Sequence, residues 1–123
     1  MSETERRTIF VTGGTGLVGS HVIEEALRRG FHVRALARAS SDTHLLRNWG
    51  VEIVTGDLSD PDALRNGVRG VDVVFNCAAK VGDWGTLEDF RALNVEALRL
   101  LLDAAVEEGV KTFVHVSSLG VYE

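Results

Sequence analysis

The residues with the clearest capacity for chemistry form a glycine cluster close to the amino terminus, T-G-G-T-G-L-V-G at residues 12–19. Two registers fit: Gly14, Gly16 and Gly19 match G-x-G-x-x-G, whereas Gly13, Gly16 and Gly19 match G-x-x-G-x-x-G. In either register, one glycine permits a tight turn, a second admits an anion to the backbone N–H groups, and a third lets a helix pack closely on a strand. A tight turn alone would not require three glycines at this spacing. The pattern therefore favours a site for the diphosphate of a dinucleotide. The residues expected to contact it are Gly13, Gly14, Thr15, Gly16, Leu17, Val18 and Gly19.

The end of the second short apolar stretch, V-R-A-L-A-R at residues 33–38, indicates whether NAD or NADP fits the site. Sites for NAD usually carry an acidic residue about 20 residues beyond the glycines, where it binds the ribose 2′-hydroxyl. No Asp or Glu occurs from residue 26 to residue 41; Ala37 occupies the expected place and Arg38 follows it. Because a guanidinium fork suits a 2′-phosphate, we predict NADP in preference to NAD. The alternative is that Arg38 is an ordinary solvated charge; Ser40 and Ser41 could add hydroxyls to the same phosphate.

Two alternating hydrophobic patterns predict the elements that position these residues. Short apolar runs predict strands at Thr8–Val11, Phe31–Ala37, Val51–Val54, Val71–Asn76 and Lys111–Val116. Helical spacing and end signals predict helices at Leu17–Arg29, at Asp42–Trp49, after the Asp60 cap, and from a Thr86 cap to Glu108. The first helix is predicted to present Val18, Val22, Ala26 and Leu27 to the sheet. Strands that alternate with helices predict an α/β fold with a doubly wound parallel sheet of Rossmann type and five strands.

Composition excludes several classes of protein. The chain has 123 residues, of which 45% are apolar and 25% are charged, with a net charge of −5. We therefore expect one domain over residues 1–123, with residues 1–7 flexible, and no nucleic-acid or membrane partner. The charged start and the single cysteine, Cys77, favour a cytoplasmic location, and Cys77 lacks the companions of a metal site.

Five stretches, in order, resemble the extended branch of the short-chain dehydrogenase/reductase superfamily, the NAD(P)-dependent epimerases, dehydratases and reductases. They are T-G-G-T-G-L-V-G, G-D-L-S-D, N-C-A-A-K, L-N-V-E-A and V-S-S-L-G-V-Y, within residues 8–122. V-R-A-L-A-R and A-A-K-V-G-D-W-G are especially similar to dihydroflavonol reductases and 3β-hydroxysteroid dehydrogenases. The resemblance implies hydride transfer between NADP(H) and a carbonyl or alcohol.

The resemblance also implies residues for the rest of the coenzyme. Asp57 would bind the adenine amino group and Leu58 would pack on the ring, although Asp57 also suits a turn beyond its strand. The small residues Cys77, Ala78 and Ala79 would lie against the ribose and diphosphate. Lys80 matches a position that contacts a ribose, and is equally well read as a surface lysine.

For catalysis, the resemblance points to Ser118 and Asn94. Ser118 lies in the spacing Ser-x-x-x-Tyr with Tyr122, where the family's serine hydrogen-bonds the substrate oxygen; Ser117 is the neighbouring alternative. Asn94 would help to hold the active-site backbone, unless it is a solvated amide on the long helix. His115 is expected to be a packed histidine within the fifth strand rather than a base.

The family's Tyr-x-x-x-Lys pair does not occur in this sequence. The only tyrosine is Tyr122, and both lysines, Lys80 and Lys111, precede it. We therefore expect the amino-terminal portion of a longer enzyme, truncated before its remaining strands and substrate region. The alternative is a non-catalytic dinucleotide-binding sensor or interaction module. The apolar long helix further predicts a homodimer or other self-association.

Overall fold

The computed structural model describes residues 7–77 and 87–116, and of residues 87–94 it describes the backbone alone. Strands and helices alternate throughout this part of the chain. The strands are β1 Thr8–Thr12, β2 His32–Ala37, β3 Glu52–Thr55, β4 Val73–Asn76 and β5 Thr112–His115. The helices are α1 Leu17–Arg28, α2 His44–Asn48, α3 Pro61–Val68 and α4 Leu87–Glu107.

The five strands form one parallel sheet in the order β3-β2-β1-β4-β5. Successive strands therefore proceed outward from β1 to one edge, and β4 then returns to the other side of β1. The carboxyl ends of β1 and β4 meet where this order reverses, which is where open α/β sheets bind ligands. The predicted fold class is confirmed.

Alternating side chains of the strands supply two cores, one on each face of the sheet. One core contains Phe10, Leu64 and Leu101 and joins the sheet to α3 and α4. The other contains Val11, Ile23 and Leu46 and joins it to α1 and α2. Burial on both faces explains why the strands are apolar runs rather than alternating ones.

The ends of some elements differ from the sequence predictions. Helix α2 begins at His44 rather than Asp42, although the Asp42 carboxylate accepts a hydrogen bond from the His44 N–H at 3.0 Å. Strand β4 begins at Val73 rather than Val71. The Asp72 carboxylate just before it accepts a hydrogen bond from the Thr8 N–H at the start of β1, at 2.9 Å. Helix α4 ends at Glu107, one residue before the predicted Glu108, and Gly109 with φ +75° turns the chain into β5.

The predicted apolar face of α1 is wrong at its first turn. Leu17 and Val18 are 76% and 48% exposed, whereas Gly19, Ile23 and Ala26 are buried. Val18 belongs to neither core cluster, whereas Val22 and Leu27 pack against the cluster that contains Ile23. In α4, Ala97, Leu101 and Ala105 face the core, while Val95, Leu102 and Val106 are exposed.

Candidate coenzyme site

The glycine loop connects β1 to α1 through a tight turn. Gly13 follows the last residue of β1 and has φ +75°, a conformation that side chains with a Cβ disfavour. Its carbonyl accepts a hydrogen bond from the Gly16 N–H at 3.0 Å, and the Gly16 carbonyl accepts one from the Ser20 N–H at 2.9 Å. The chain thus reverses within four residues and enters α1 directly.

Gly19 allows the first turn of α1 to lie directly on this loop. A Cβ at Gly19 would lie 2.0 Å from the Gly13 carbonyl oxygen, and no backbone atom there could move aside cheaply. A Cβ at Gly14 would instead meet the Ile23 side chain at 2.8 Å. Gly13 therefore makes the turn, Gly16 is the open position, and Gly19 makes the close contact between helix and loop. Gly14 packs in the core. Of the two registers, the geometry favours G-x-x-G-x-x-G.

The amino-terminal end of α1 has no internal anion. Gly16 is the N-cap residue, no side chain caps the helix, and its first turn contains no acidic residue. Thr15, Gly16, Leu17 and Val18 are all exposed. The partial positive charge of the helix terminus and a bare backbone surface thus face outward together, as anion sites at helix N-termini require.

Arg38 lies at the neighbouring strand end. Strand β2 stops at Ala37, next to β1, and the Arg38 carbonyl accepts a hydrogen bond from the Ser41 N–H at 3.0 Å. The Arg38 side chain is exposed and has no ion pair or hydrogen bond with the part of the chain that is described. Ser40 is exposed and Ser41 is half-buried in the same turn.

Asp57 and Leu58 follow β3 at the same edge. The Asp57 carboxylate accepts a hydrogen bond from the Ser59 N–H at 3.3 Å, and its carbonyl accepts one from the Asp60 N–H at 3.0 Å. Asp57 therefore holds the turn beyond its strand, which is the second of the two roles that the sequence analysis gave it. Leu58 is half-buried against the core cluster of Phe10 and Leu64.

Cys77 follows β4, and its N–H donates to the Thr12 carbonyl at 3.1 Å. Its side chain is half-buried against the α1 side of the core, and this burial raises the pKa of the Cys77 thiol. A neutral packing thiol is consistent with this position. Residues 7–77 and 95–116 contain no group of three or more His, Cys, Asp or Glu side chains arranged to hold a metal ion.

The structure also joins residues that the sequence analysis did not connect. Thr12 and Asn76 are the two buried polar residues of the described part, and the Thr12 hydroxyl donates to the side-chain oxygen Oδ1 of Asn76 at 2.5 Å. The Asn76 amide nitrogen lies 3.1 Å from Nδ1 of His115. His115 is exposed, so the expectation that it is a packed histidine is wrong. Strand register alone brings the three together. Thr12 and Asn76 each begin one of the stretches quoted above, T-G-G-T-G-L-V-G and N-C-A-A-K, but no motif links them to each other or to His115.

Several predicted residues lie outside the described part. They are Ala78, Ala79, Lys80, Ser117, Ser118 and Tyr122, together with the Thr86 cap. For Asn94, the backbone lies within α4 and the side chain is not described. Their predicted roles remain predictions.

The described residues fit a dinucleotide. Gly19 lets the first turn of α1 lie directly on the Gly13 backbone, the α1 terminus lacks its own anion, and the Arg38 side chain has no partner among the described residues. All of these features lie at the carboxyl ends of adjacent strands. Over the described residues, none of the helices combines the length and hydropathy needed to cross a bilayer.

Comparison with known proteins agrees with this geometry. Residues 13–123 match the family model described as NAD(P)H-binding. A provisionally named dihydroflavonol 4-reductase of Synechocystis is 40% identical over 113 residues, which cover 89% of this chain and 32% of that protein. A 3 beta-hydroxysteroid dehydrogenase/Delta 5-->4-isomerase of Mycobacterium tuberculosis is 35% identical over 125 residues, which cover 96% of this chain and 33% of that protein.

Among solved structures, a short-chain dehydrogenase/reductase superfamily protein from Agrobacterium tumefaciens with bound NAD aligns with a TM-score of 0.75 at 36% identity. The alignment covers 94% of this chain and 34% of that one. The chain thus spans about a third of the length of the relatives it matches. With its glycine loop, parallel sheet and strand order, the chain belongs to the NAD(P)H-binding family, in the short-chain dehydrogenase/reductase and epimerase group.

Proposed function

We propose that this chain is the coenzyme-binding portion of an NADP-dependent oxidoreductase or epimerase, which moves hydride between NADP(H) and a carbonyl or alcohol substrate. The observation that carries the proposal is the α1 terminus, which lies on the glycine loop with neither a capping side chain nor an acidic residue in its first turn. Bound there, the nicotinamide coenzyme supplies the hydride acceptor or donor, and the protein supplies position and charge.

The residues proposed to hold the coenzyme lie along the carboxyl edge of the sheet. The backbone of residues 13–19 would receive the diphosphate, and the exposed apolar side chains of Leu17 and Val18 would gain cover from the ligand. Asp57 and Leu58 would bind the adenine end, as the family resemblance implies. Cys77, Ala78, Ala79 and Lys80 would line the ribose side.

Ser118 and Asn94 are the proposed active-site residues. Ser118 would hydrogen-bond the substrate oxygen, and Asn94 would hold the backbone around it. A serine beside the substrate does not by itself supply a proton of suitable pKa, and this sequence contains no Tyr-x-x-x-Lys. We therefore propose that the general acid belongs to a part of the protein other than these 123 residues.

The preference for NADP rests on Arg38. Its exposed guanidinium has no ion-pair partner among the described residues, and it directly follows Ala37, which stands where an NAD site usually carries an acid. Isothermal titration should show tighter binding of NADP than of NAD, and Arg38→Ala should abolish the difference. Arg28→Ala is a matched control, because Arg28 is exposed in the last turn of α1, at the opposite end of that helix from the glycine loop. Equal affinities for the two coenzymes in the wild type would refute the preference.

The second candidate function is a non-catalytic dinucleotide-binding sensor or interaction module, which the missing Tyr-x-x-x-Lys favours only if the natural reading frame stops at Glu123. The natural reading frame beyond Glu123 separates the two. A Tyr-x-x-x-Lys within a few dozen codons supports the enzyme, and its absence supports the sensor.

We further propose a cytoplasmic protein that self-associates through α4. Val95, Leu102 and Val106 lie on one stripe of this helix and are 64%, 38% and 78% exposed. Light scattering should therefore give a mass above that of a monomer, and Val106→Glu should lower it. A monodisperse wild-type monomer would contradict this proposal.

A further inference from the structure

A chain of hydrogen bonds runs across the carboxyl edge of the sheet through three neighbouring strands. Thr12, Asn76 and His115 are the last residues of β1, β4 and β5, and strand register pairs each with the next. The Thr12 hydroxyl donates to Oδ1 of Asn76 at 2.5 Å, and Nδ2 of Asn76 lies 3.1 Å from Nδ1 of His115.

The direction of the hydrogen bond between Thr12 and Asn76 determines the direction of the one between Asn76 and His115. Because Oδ1 of Asn76 accepts from Thr12, the Nδ2 amino group of Asn76 faces His115, and an amide nitrogen can only donate. Nδ1 of His115 must therefore accept, which places the ring proton on Nε2. The acceptor on His115 is thus part of the arrangement that orients the Asn76 amide.

Burial makes Asn76 dependent on this acceptor. Thr12 and Asn76 are 0% and 4% exposed, whereas His115 is exposed at the end of the chain of bonds. A buried amide that loses its partner keeps the full cost of desolvation, so it reorients or shifts its neighbours. The solvent-facing residue is therefore the one whose replacement disturbs the two buried ones.

Thr12 connects this chain of bonds to the glycine loop. It directly precedes Gly13, and its carbonyl accepts from the Cys77 N–H at 3.1 Å. The Gly13 carbonyl in turn accepts from Gly16 and lies under Gly19. A shift of the Thr12 side chain or backbone would thus reach the turn on which α1 starts.

We infer that His115 is a positioning residue for the glycine loop, which it holds through Asn76 and Thr12 by offering a hydrogen-bond acceptor at Nδ1. The inference rests on the proposed function, because the loop is the proposed site of the coenzyme's diphosphate. It assigns His115 no contact with the coenzyme.

Two substitutions separate the acceptor from the ring. In His115→Asn, the short amide can place an oxygen near the position of Nδ1 but has no ring; in His115→Phe, the ring remains and the acceptor is lost. His21→Asn is the matched control, because His21 is an exposed histidine on the outer side of α1. Isothermal titration of the full chain with NADP gives the affinity, and thermal unfolding gives the stability separately.

We expect His115→Phe to weaken NADP binding about tenfold, as the loss of one buried hydrogen-bond partner would, while His115→Asn and His21→Asn stay close to wild type. Rescue by asparagine distinguishes the hydrogen bond from packing of the ring. The inference is overturned if His115→Phe binds like wild type, or if both His115 variants lose affinity equally.

A second measurement does not depend on the coenzyme. The amide chemical shifts of Gly13 and Gly16 in the free protein should differ from their wild-type values in His115→Phe and match them in His115→Asn. Unchanged shifts in both variants overturn the inference while leaving the proposed function intact. A wild type that binds neither coenzyme overturns the proposed function, and the chemical shifts then still test the coupling.

Discussion

Helices α1 and α3 begin at the same edge of the sheet but differ at their amino-terminal ends. Helix α3 starts at Pro61 behind Asp60, whose carboxylate accepts hydrogen bonds from the Asp62 and Ala63 N–H groups at 3.1 and 3.3 Å. Helix α1 starts behind Gly16, with no capping side chain and no acidic residue in its first turn. The protein thus satisfies the positive end of α3 itself and leaves that of α1 open.

The carboxyl-terminal end of α3 is satisfied internally as well. The largely buried Arg34 side chain donates from one nitrogen to the Gly67 and Arg69 carbonyls, both at 2.8 Å. Charged side chains of the protein therefore hold both ends of α3, which is a supporting helix. The contrast supports the proposal that the open end of α1 receives a ligand with negative charge.

The largest effect is expected from Gly19→Ala. The new Cβ would lie 2.0 Å from the Gly13 carbonyl oxygen, so the loop and the first turn of α1 must separate. We expect coenzyme affinity to fall about 100-fold or more, as misplacement of binding groups does, and isothermal titration measures it.

Gly67→Ala is the control on α3, where a Cβ would meet the Phe10 ring at 2.3 Å. It should lower the free energy of unfolding by about 1–3 kcal/mol through overpacking and leave the affinity of the folded protein unchanged. Equal losses of affinity in the two variants would contradict a special role for the α1 terminus.

Gly16→Asp would give α1 the internal anion that α3 already has. Gly16 has φ −84°, which other residues adopt, and a Cβ there would be 3.4 Å from the nearest atom. The new carboxylate should raise the free energy of unfolding by about 0.5–1 kcal/mol and weaken coenzyme binding roughly tenfold by repelling the diphosphate. Urea unfolding and titration measure the two effects. Gly16→Asn, a neutral cap, should weaken binding less; undiminished affinity in Gly16→Asp would argue against an anion site here.

Asp60→Ala tests the other side of the comparison. Removal of the α3 cap should lower the free energy of unfolding by about 1 kcal/mol, with no change in coenzyme affinity, because Asp60 satisfies amides of α3 only. Asp60→Asn keeps an acceptor and should retain most of the stability. A loss of coenzyme affinity in Asp60→Ala at unchanged stability would contradict the assignment of the α1 end to coenzyme binding and the α3 end to internal capping.

The smallest effect concerns Glu52, which supports the Arg34 cap of α3. His32 donates to its carboxylate at 3.0 Å and Arg34 lies 3.2 Å away, and these contacts hold the pKa of Glu52 below its ordinary 4.5. A lowered folded-state pKa stabilises the fold above 4.5, and this contribution is lost as the pH falls through the folded-state value.

Glu52→Gln should therefore be less stable than wild type near neutral pH, by about a few tenths of a kcal/mol for so exposed a pair, and the difference should vanish in acid. Urea unfolding at about pH 6 and about pH 3 tests this expectation. A difference that grows in acid would have the wrong sign for this interaction.

The sequence predicted the elements because local patterns mark them. The Asp60 cap identified the start of α3, and the predicted end of α4 at Glu108 lies one residue beyond the observed end. It misjudged Val18, because helical spacing shows which residues share a face but not which of them a core cluster covers. It also did not single out Ile23, which is fully buried in α1.

By itself, the sequence determined the alternation of strands and helices, the parallel sheet and the glycine loop, since apolar period, capping residues and glycine spacing are all local. The choice between Gly13 and Gly14 depended on a backbone contact between the loop and α1, which exists only after the helix packs. The Thr12–Asn76–His115 chain joins residues 64 and 39 positions apart. Only the tertiary structure decided it, because sheet register, which no local pattern contains, brings those three strand ends together.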